Sequence, residues 1–315
     1  MAEVDGSTAP GGAADDGDDQ SPLVGALLDV TIASPSLHIA EAVFADVLGM
    51  EADACGPGRS GAHAHQDASG RIYRAPGWDH GAVRVVPGEP REVAARPTAG
   101  WDCVELSVAD VEAIATKLQD LDVGRTIAGP LTVDLSSHDS AQHRSVVWLA
   151  PWGTHLILTQ GLTQPVGRTF PAPAPGARCG PVFEVHLRAP ATARAASPYR
   201  DLLGMRAIMG MDVRDGPIHE VWGLPSGARV EMTMLTGAGT GTGEGALEIQ
   251  SHDPDVLEPL TGGDGCPGGT CTVAYACPTP EPVGRRLADD GLHSGPSDTG
   301  VWIRGRTGEV LELRP

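Results

Sequence analysis

The spacing of apolar positions predicts a strand, a helix and further strands near the start of the chain. Residues 26–34, ALLDVTIAS, are apolar and β-branched, which is typical of a strand. Apolar residues then recur at helical spacing up to Gly49, and glycine commonly ends helices; they are Leu37, Ala40, Phe44, Val47 and Leu48. Residues 71–76 and 82–87 again have strand patterns, so the first unit is a strand, a helix and about three strands.

The same unit recurs three times along the chain. Strand-like runs at 101–108, 181–189 and 269–277 open the second, third and fourth units, and a helical pattern follows each. The later strands are predicted at 132–135, 145–151, 154–160, 219–225, 228–235, 300–305 and 309–315. The glycine-rich stretch 236–245 lacks the strand–loop–helix context of a phosphate-binding loop, so it is interpreted as a connector.

An internal repeat indicates that the four units form two halves. FADVLGM at 44–50 and YRDLLGM at 199–205 begin 155 positions apart, and repetition at a fixed distance is the signature of a duplicated architecture. The proline-rich stretch 163–179 has no periodic pattern, which is typical of a linker. The predicted organisation is an acidic disordered tail at 1–24, a first domain at 25–162, this linker, and a second domain at 180–315.

Composition narrows the choice of partners and compartment. The chain of 315 residues carries a net charge of −19, which disfavours nucleic acid as a partner. It has no apolar run long enough to span a membrane and no signal-peptide pattern, so we expect a cytoplasmic protein. The six cysteines show no CxxC pair and are expected to be reduced thiols, with a metal or disulfide cluster at Cys266, Cys271 and Cys277 as the weaker alternative.

Four units of this kind, taken in pairs, resemble the vicinal oxygen chelate superfamily, the group of glyoxalases, bleomycin-resistance proteins and extradiol dioxygenases. FADVLGM and YRDLLGM look like the end of the family's helix, and APWGTHLIL and GRTGEVLEL look like its closing hairpin. The resemblance implies an α+β fold with two tandem domains, each made of two βαβββ units that form a cupped sheet. It also implies that the first and last strands of each unit supply the metal ligands, where a metal is bound.

The resemblance implies four candidate ligand positions in each half. In the first half they are Asp29, Val85, Cys103 and Ile157; two are aliphatic, so we expect no metal there, although Glu105 and His155 lie close by in sequence. In the second half they are Glu184, Glu231, Thr272 and Glu312. The three glutamates are therefore the predicted catalytic residues and metal ligands.

Three glutamates that face one cup would repel each other unless a cation were bound or their pKa values were raised. All-oxygen ligands favour Mn, Mg or Ca over Zn, whereas a nitrogen ligand from His186 or His219 would shift the preference to Fe, Ni or Zn. The alternative is that Glu231 or Glu312 lies on the solvent face in an ion pair with a nearby arginine. The predicted substrate-binding residues are His186, His219, Trp222, Thr272 and Trp302.

Three functions remain open at this point. The first is an enzyme, a lyase, isomerase or cyclase, that acts on a small oxygenated or aromatic metabolite in the cup of the second domain. The second is a metal-free protein that binds a drug or antibiotic, similar to the bleomycin-resistance branch. The third is a ring-cleaving dioxygenase, disfavoured because its two histidines and one glutamate are not seen at the expected positions. The protein is expected to be a monomer or homodimer that binds a small molecule.

Overall fold

The computed structural model of the chain describes residues 23–55, 70–89, 99–134, 141–164, 170–214, 219, 224, 226–238, 245–252 and 269–315. Residues 1–22 of the predicted acidic tail lie outside this part. No helix in the described part is long and apolar enough to cross a membrane. Three of the described cysteines, Cys103, Cys179 and Cys277, are free thiols, whereas Cys271 is disulfide-bonded, contrary to the expectation of reduced thiols.

The first unit has the predicted order of elements. The Oγ of Ser36 accepts a hydrogen bond from the Ile39 amide and caps the helix, and Gly49 ends it at a positive φ of 74°. Its elements are β1 (Leu27–Ser34), α1 (Leu37–Glu41) with a π-helical continuation (Ala42–Val47), β2 (Glu51–Cys55), β3 (Gly70–Arg74) and β4 (Ala82–Pro87).

The other three units repeat this order. The second contains β5 (Gly100–Val108), α2 (Val111–Asp120), β6 (Arg125–Asp134), β7 (Gln142–Leu149) and β8 (His155–Gly161). The third contains β9 (Cys179–Arg188), α3 (Thr192–Ser197) with a π-helical turn (Pro198–Leu202), β10 (Arg206–Val213), β11 (Val230–Thr236) and β12 (Ala246–His252). The fourth contains β13 (Gly269–Ala276), α4 (Pro280–Asp289), β14 (His293–Ser297), β15 (Gly300–Arg304) and β16 (Val310–Arg314).

The strands form two curled eight-stranded sheets, with orders β14-β15-β16-β13-β1-β4-β3-β2 and β10-β11-β12-β9-β5-β8-β7-β6. In every unit the first strand is parallel to the last. Two units join through antiparallel pairing of their first strands, β1 with β13 and β5 with β9. The predicted α+β class, with two βαβββ units in each cupped sheet, is confirmed.

The sheets combine different units from those expected. Units one and four share one sheet, and units two and three share the other, rather than neighbouring units in each half. The predicted linker 163–179 therefore connects β8 to β9 within one sheet. The first strands of all units are similar in length and apolar pattern, so the repeat along the sequence does not specify which two will pair. The residue limits of the two predicted domains stay a prediction.

Strands β10 and β12 were not among the predicted elements, whereas the predicted strand at 219–225 lies outside the described residues except for 219 and 224. Strand β12 follows the glycine-rich connector directly. Its residues Leu247 and Ile249 alternate with Glu248 and Gln250, so a period-two signal was present. This omission matters for the site, because β12 is the last strand of the third unit.

One continuous hydrophobic core, with residues from all four units, joins the two sheets. In the first half, the ring of Phe44 stacks on Trp152 with centroids 5.8 Å apart. In the second half, the Tyr199 hydroxyl donates to Glu309 over 2.8 Å. The Trp101 Nε1–H of one sheet donates to the Val310 carbonyl of the other, at 2.8 Å. The two units of each half thus pack through their helices and turns, while their first strands pair with units of the other half.

This pairing predicts how the chain responds to a cut between residues 164 and 170. Each fragment would carry half of each sheet, and the unpaired edges of β1, β5, β9 and β13 would be exposed. We expect the fragments to aggregate when expressed alone and to form a soluble one-to-one complex when co-expressed, as measured by size-exclusion chromatography. Two fragments that each fold as a soluble monomer would instead support independent tandem domains.

Candidate functional site

Strand alternation separates the two faces of the sheet made by units two and three. Val104 and Leu106 on β5, and Val185 and Leu187 on β9, belong to the hydrophobic core. Their neighbours therefore point to the opposite face. We call this face the acidic cup; its polar residues on the four central strands are Glu105, His155, Thr159, Glu184, His186, Arg188, Glu248, Gln250 and His252, and Asp102, beside a register shift in β5, contacts Arg188 and His155 there.

Two carboxylates and an imidazole meet at the centre of the acidic cup. Glu105 on β5 lies opposite Glu184 on β9 in the strand register. His186 Nε2 is 3.4 Å from a carboxylate oxygen of each. One ligand atom from each of the three residues lies within 4.8 Å of the others, and all three residues are buried. The group has the donor types and the spacing of a metal site.

Glu248 flanks this group on the other side of the imidazole. Its Oε1 lies 3.4 Å from His186 Nδ1 and accepts a hydrogen bond from the Gln250 side-chain amide. The pKa of His186 is raised. Burial alone lowers this pKa, but the charge of Glu248 and the hydrogen bond and charge of Glu105 together have a larger, opposite effect. His186 is thus held between carboxylates on both ring nitrogens.

A second polar group lies beside the first and contains the cup's arginine. Arg188 is buried, and its Nε donates to Asp102 over 2.6 Å. His155 Nδ1 is 3.2 Å from the same carboxylate. Burial alone raises the pKa of Asp102. The positive charge of Arg188 and the contacts with His155 have a larger, opposite effect, so the pKa lies well below its usual range. Asp102 is therefore ionised and neutralises Arg188.

Among the described residues, carboxylates outnumber arginines at the centre of the acidic cup. Asp102 neutralises Arg188, and Glu105, Glu184 and Glu248 surround the imidazole of His186 with largely buried side chains. Buried carboxylates need a counter-charge, and even a protonated His186 would offset only one of them. A bound cation or retained protons would supply the difference.

Units one and four form the second cup, which differs in charge. We call it the ion-paired cup; its polar residues on the central strands are Asp29, Thr31, Arg84, Thr272, Glu312 and Arg314. Arg314 donates to both Asp29 and Glu312, and Arg84 Nε lies 3.9 Å from Asp29 Oδ1. Two carboxylates and two arginines balance among the described residues of this cup, so it does not require a cation.

The three predicted glutamates do not converge. Glu184 lies in the acidic cup, whereas Glu312 lies in the ion-paired cup and accepts hydrogen bonds from Ser297, Thr299 and Arg314. Glu231 points to the other face of its sheet, because its neighbours Val230 and Met232 occupy the cup side. Its side chain is 39% exposed and lies 3.7 Å from Arg229, which is the surface ion pair foreseen as the alternative.

The predicted substrate-binding residues are also divided. His186 lies in the acidic cup beside Glu184. Thr272 and Trp302 lie in the ion-paired cup, where Trp302 is opposite Glu312 in the strand register. His219 is buried and its Nε2 donates to the Ala228 carbonyl. Trp222 lies outside the described residues.

The four candidate positions of the first half are distributed in the same way. Asp29 lies in the ion-paired cup, and Val85 belongs to the hydrophobic core. Cys103 and Ile157 line an apolar part of the acidic cup, where burial and the charges of Asp102 and Glu105 raise the Cys103 pKa well above its usual value.

Glu248 was missed because β12 was not recognised, although its alternation with Leu247 and Ile249 could have shown it.

Comparisons with known proteins support the fold. No model of a protein family matches the sequence. No curated protein matches it either. Among solved structures, glyoxalase I from Zea mays is 15% identical with a TM-score of 0.61, and the match covers 92% of each chain. A "putative dioxygenase" from Bacillus subtilis is 13% identical with a TM-score of 0.60, and the match covers 94% of this chain and 86% of that one.

The ion-paired cup generates a prediction about acid stability. Burial alone raises the pKa of Glu312. The hydrogen bond and the charge interaction of Glu312 with Arg314 have a larger, opposite effect, so the pKa lies below the ordinary value of 4.5. Ionised Glu312 therefore stabilises the fold above pH 4.5, and this contribution is lost as the pH falls through the folded-state pKa. Glu312→Gln should lower the free energy of unfolding at neutral pH by roughly 1–3 kcal/mol and flatten its decline in acid.

Urea unfolding at a series of pH values measures both effects. Glu231→Gln, which changes a partly exposed side chain of the other sheet, is the matched control and should stay within about 0.5 kcal/mol of the wild type. A Glu312→Gln protein with the acid limb of the wild type would show that the ion pair with Arg314 does not contribute to stability.

Proposed function

Since the chain has the fold of the vicinal oxygen chelate superfamily, we propose that it is a metal-dependent enzyme that acts on a small oxygenated metabolite in the acidic cup. The observation that carries this proposal is the group of three largely buried carboxylates, Glu105, Glu184 and Glu248, around the imidazole of His186. Burying this much negative charge costs stability unless a ligand uses it. The comparison structure of glyoxalase I, an enzyme by name, shares the fold and lends support.

Glu105, Glu184 and His186 would hold the metal ion. Carboxylate oxygens suit Mg and Mn, and an imidazole nitrogen suits Fe, Ni and Zn, so the mixed set is compatible with several divalent ions. A bound ion would polarise an oxygen of the substrate. The contact of Glu248 with His186 Nδ1 fixes the orientation of the ring, so that Nε2 faces the other two carboxylates.

The remaining residues of the acidic cup would bind the substrate and move a proton. Arg188, held by Asp102, orients an oxygen atom of the substrate. A carboxylate such as Glu248 can accept a proton from a carbon next to a carbonyl and return it elsewhere. This chemistry corresponds to an isomerase, lyase or cyclase.

Apolar side chains lie on both flanks of this polar centre. On one side Cys103, Val147 and Ile157 form a cluster, and on the other Met211, Val230 and Met232 form another. A substrate with oxygen atoms at its centre and apolar or aromatic groups around them would match this distribution. Ring cleavage by an iron dioxygenase is less favoured, because the central group contains one imidazole, whereas the facial triad of such enzymes uses two.

Elemental analysis of the purified protein and of matched variants tests the proposal. We expect about one equivalent of a divalent transition metal in the wild type, removed by a chelator and restored by Mn, Fe, Ni or Zn salts. Glu184→Gln removes one of the proposed ligands, so it should weaken metal binding by about tenfold or more. Glu231→Gln and Glu312→Gln change the other two glutamates that the sequence suggested, and both should bind metal as the wild type does.

Two results would contradict the proposal. One is the absence of bound metal after incubation with all four salts. The other is loss of metal in Glu312→Gln together with retention in Glu184→Gln, which would move the site to the ion-paired cup.

A further inference from the structure

Methionine is concentrated on two neighbouring strands of the third unit. Four of the seven methionines in the chain lie there, as two Met-x-Met pairs on the edge strand β10 and its partner β11; they are Met209, Met211, Met232 and Met234. We call these four residues the thioether patch. Leucine or valine would make an equally apolar surface, so four sulfur atoms in one patch point to a chemistry that sulfur provides.

The strand register places the four side chains on one face of the sheet. Met211 on β10 lies directly opposite Met232 on β11, and Met209 lies directly opposite Met234. Residues two apart on a strand point to the same side, and directly opposite residues share a face. Met209, Met211 and Met232 also pack together in one apolar cluster. The four side chains of the thioether patch therefore form a two-by-two array.

The dimensions of this array allow the sulfur atoms to meet around one ion. Opposite Cβ atoms on antiparallel strands are roughly 4.5–5.5 Å apart, and residues two apart on one strand are separated by roughly 7 Å. A methionine side chain has three rotatable bonds, so it can turn its sulfur from a corner of the array towards the centre. Met211 and Met232 are buried, whereas Met209 and Met234 are partly exposed, which gives an ion a route from solvent.

The neighbouring strand β12 adds negative charge beside the thioether patch. Met234 lies opposite Glu248, and Met232 lies opposite Gln250. Glu248 is buried and belongs to the acidic cup, where carboxylates outnumber arginines among the described residues. A carboxylate in a partly buried setting attracts a cation more strongly than it does in water. The surroundings of the patch therefore favour a positively charged ligand.

Thioether sulfur selects one class of cation. It is a soft, uncharged ligand that suits Cu(I), whereas Mg, Mn and Ca prefer carboxylate and carbonyl oxygens. Zinc in proteins is bound by thiolate, imidazole or carboxylate groups. The thioether patch consequently suits a soft monovalent ion, in contrast to the divalent ions that suit Glu105, Glu184 and His186.

We propose that the thioether patch binds one Cu(I) ion at the edge of its sheet. The ligands lie on β10 and β11, the second and third strands of the unit, whereas Glu184 and His186 lie on the first strand and Glu248 on the last. The proposal does not rest on the proposed function, because it uses different side chains and a different class of metal.

Titration of the chelator-treated full-length protein with Ag(I), a redox-inert analogue of Cu(I), tests this site by NMR of isotope-labelled methionine methyl groups. We expect the resonances of the thioether patch to shift and to saturate at about one equivalent. Met50 and Met205 are buried in the hydrophobic core and serve as internal controls whose resonances should not move. Competition with a chromophoric Cu(I) chelator under reducing, oxygen-free conditions then measures the affinity for Cu(I).

Paired substitution by leucine separates sulfur ligation from packing, because leucine keeps the volume and apolar character of methionine. Met211→Leu combined with Met232→Leu should weaken Cu(I) binding by about tenfold or more, since even the loss of a group that supports a metal ligand costs this much. Met205→Leu, in the hydrophobic core, is the matched control and should leave the affinity unchanged.

Two further variants complete the test. Met209→Leu combined with Met234→Leu changes the partly exposed members of the patch, should also weaken Cu(I) binding, and keeps the test decisive if the first pair does not fold. Glu184→Gln, which should impair binding of a divalent metal, should leave the Cu(I) affinity unchanged.

Four results would each overturn the proposal. The first is an absence of Ag(I) binding, and the second is binding that leaves the patch resonances unmoved, as a free thiol such as Cys103 would produce. The third is wild-type affinity in both leucine pairs, which would mean that the patch serves only as apolar packing. The fourth is a comparable loss of Cu(I) binding in Met205→Leu or in Glu184→Gln.

Discussion

The antiparallel pairing of first strands determines which side chains share a cup. Strand β5 pairs with β9, with Glu105 opposite Glu184 and Val104 opposite Val185. Because side chains alternate along each strand, this register puts the valines in the core and the glutamates in the cup. A shift by one residue would exchange the two sets and bury the carboxylates among aliphatic side chains. The large apolar core therefore fixes the register, and the register brings the acidic residues together.

The two cups show two solutions to the burial of charge on a sheet. In the ion-paired cup, Arg314 on β16 lies two residues from Glu312 on the same face and also contacts Asp29 on β1. In the acidic cup, Arg188 donates to Asp102, and Glu105, Glu184 and Glu248 surround the imidazole of His186. The first arrangement is balanced among the described residues, whereas in the second the carboxylates outnumber the arginines, an excess that a cation or retained protons would offset. The same fold is thus used once as a balanced polar surface and once as an anionic site.

Much of this architecture is visible in the sequence, because it depends on local patterns. Helical spacing up to Gly49 and the repeated YRDLLGM at 199–205 specify the units and their number. The family resemblance selected Glu184, and His186, two residues further along the same strand, lies on the same face of the sheet. The pairing of units depends instead on contacts between strands far apart in sequence, so Glu231 and Glu312 were assigned to the wrong surroundings. Glu248 was missed because the glycine-rich connector hides the start of β12.

The acidic cup is also asymmetric within itself. Ile157 on β8 lies opposite Glu105, and Glu248 on β12 lies opposite His186. These two positions correspond in the two units, since each lies on the last strand, next to the polar residue of the first strand. One is aliphatic and the other acidic, so the two halves of the cup differ at this position. A molecule bound in this cup would therefore meet an aliphatic side chain at one of these positions and a carboxylate at the other. Duplication produced a symmetric frame, and the difference between these two side chains gives it a direction.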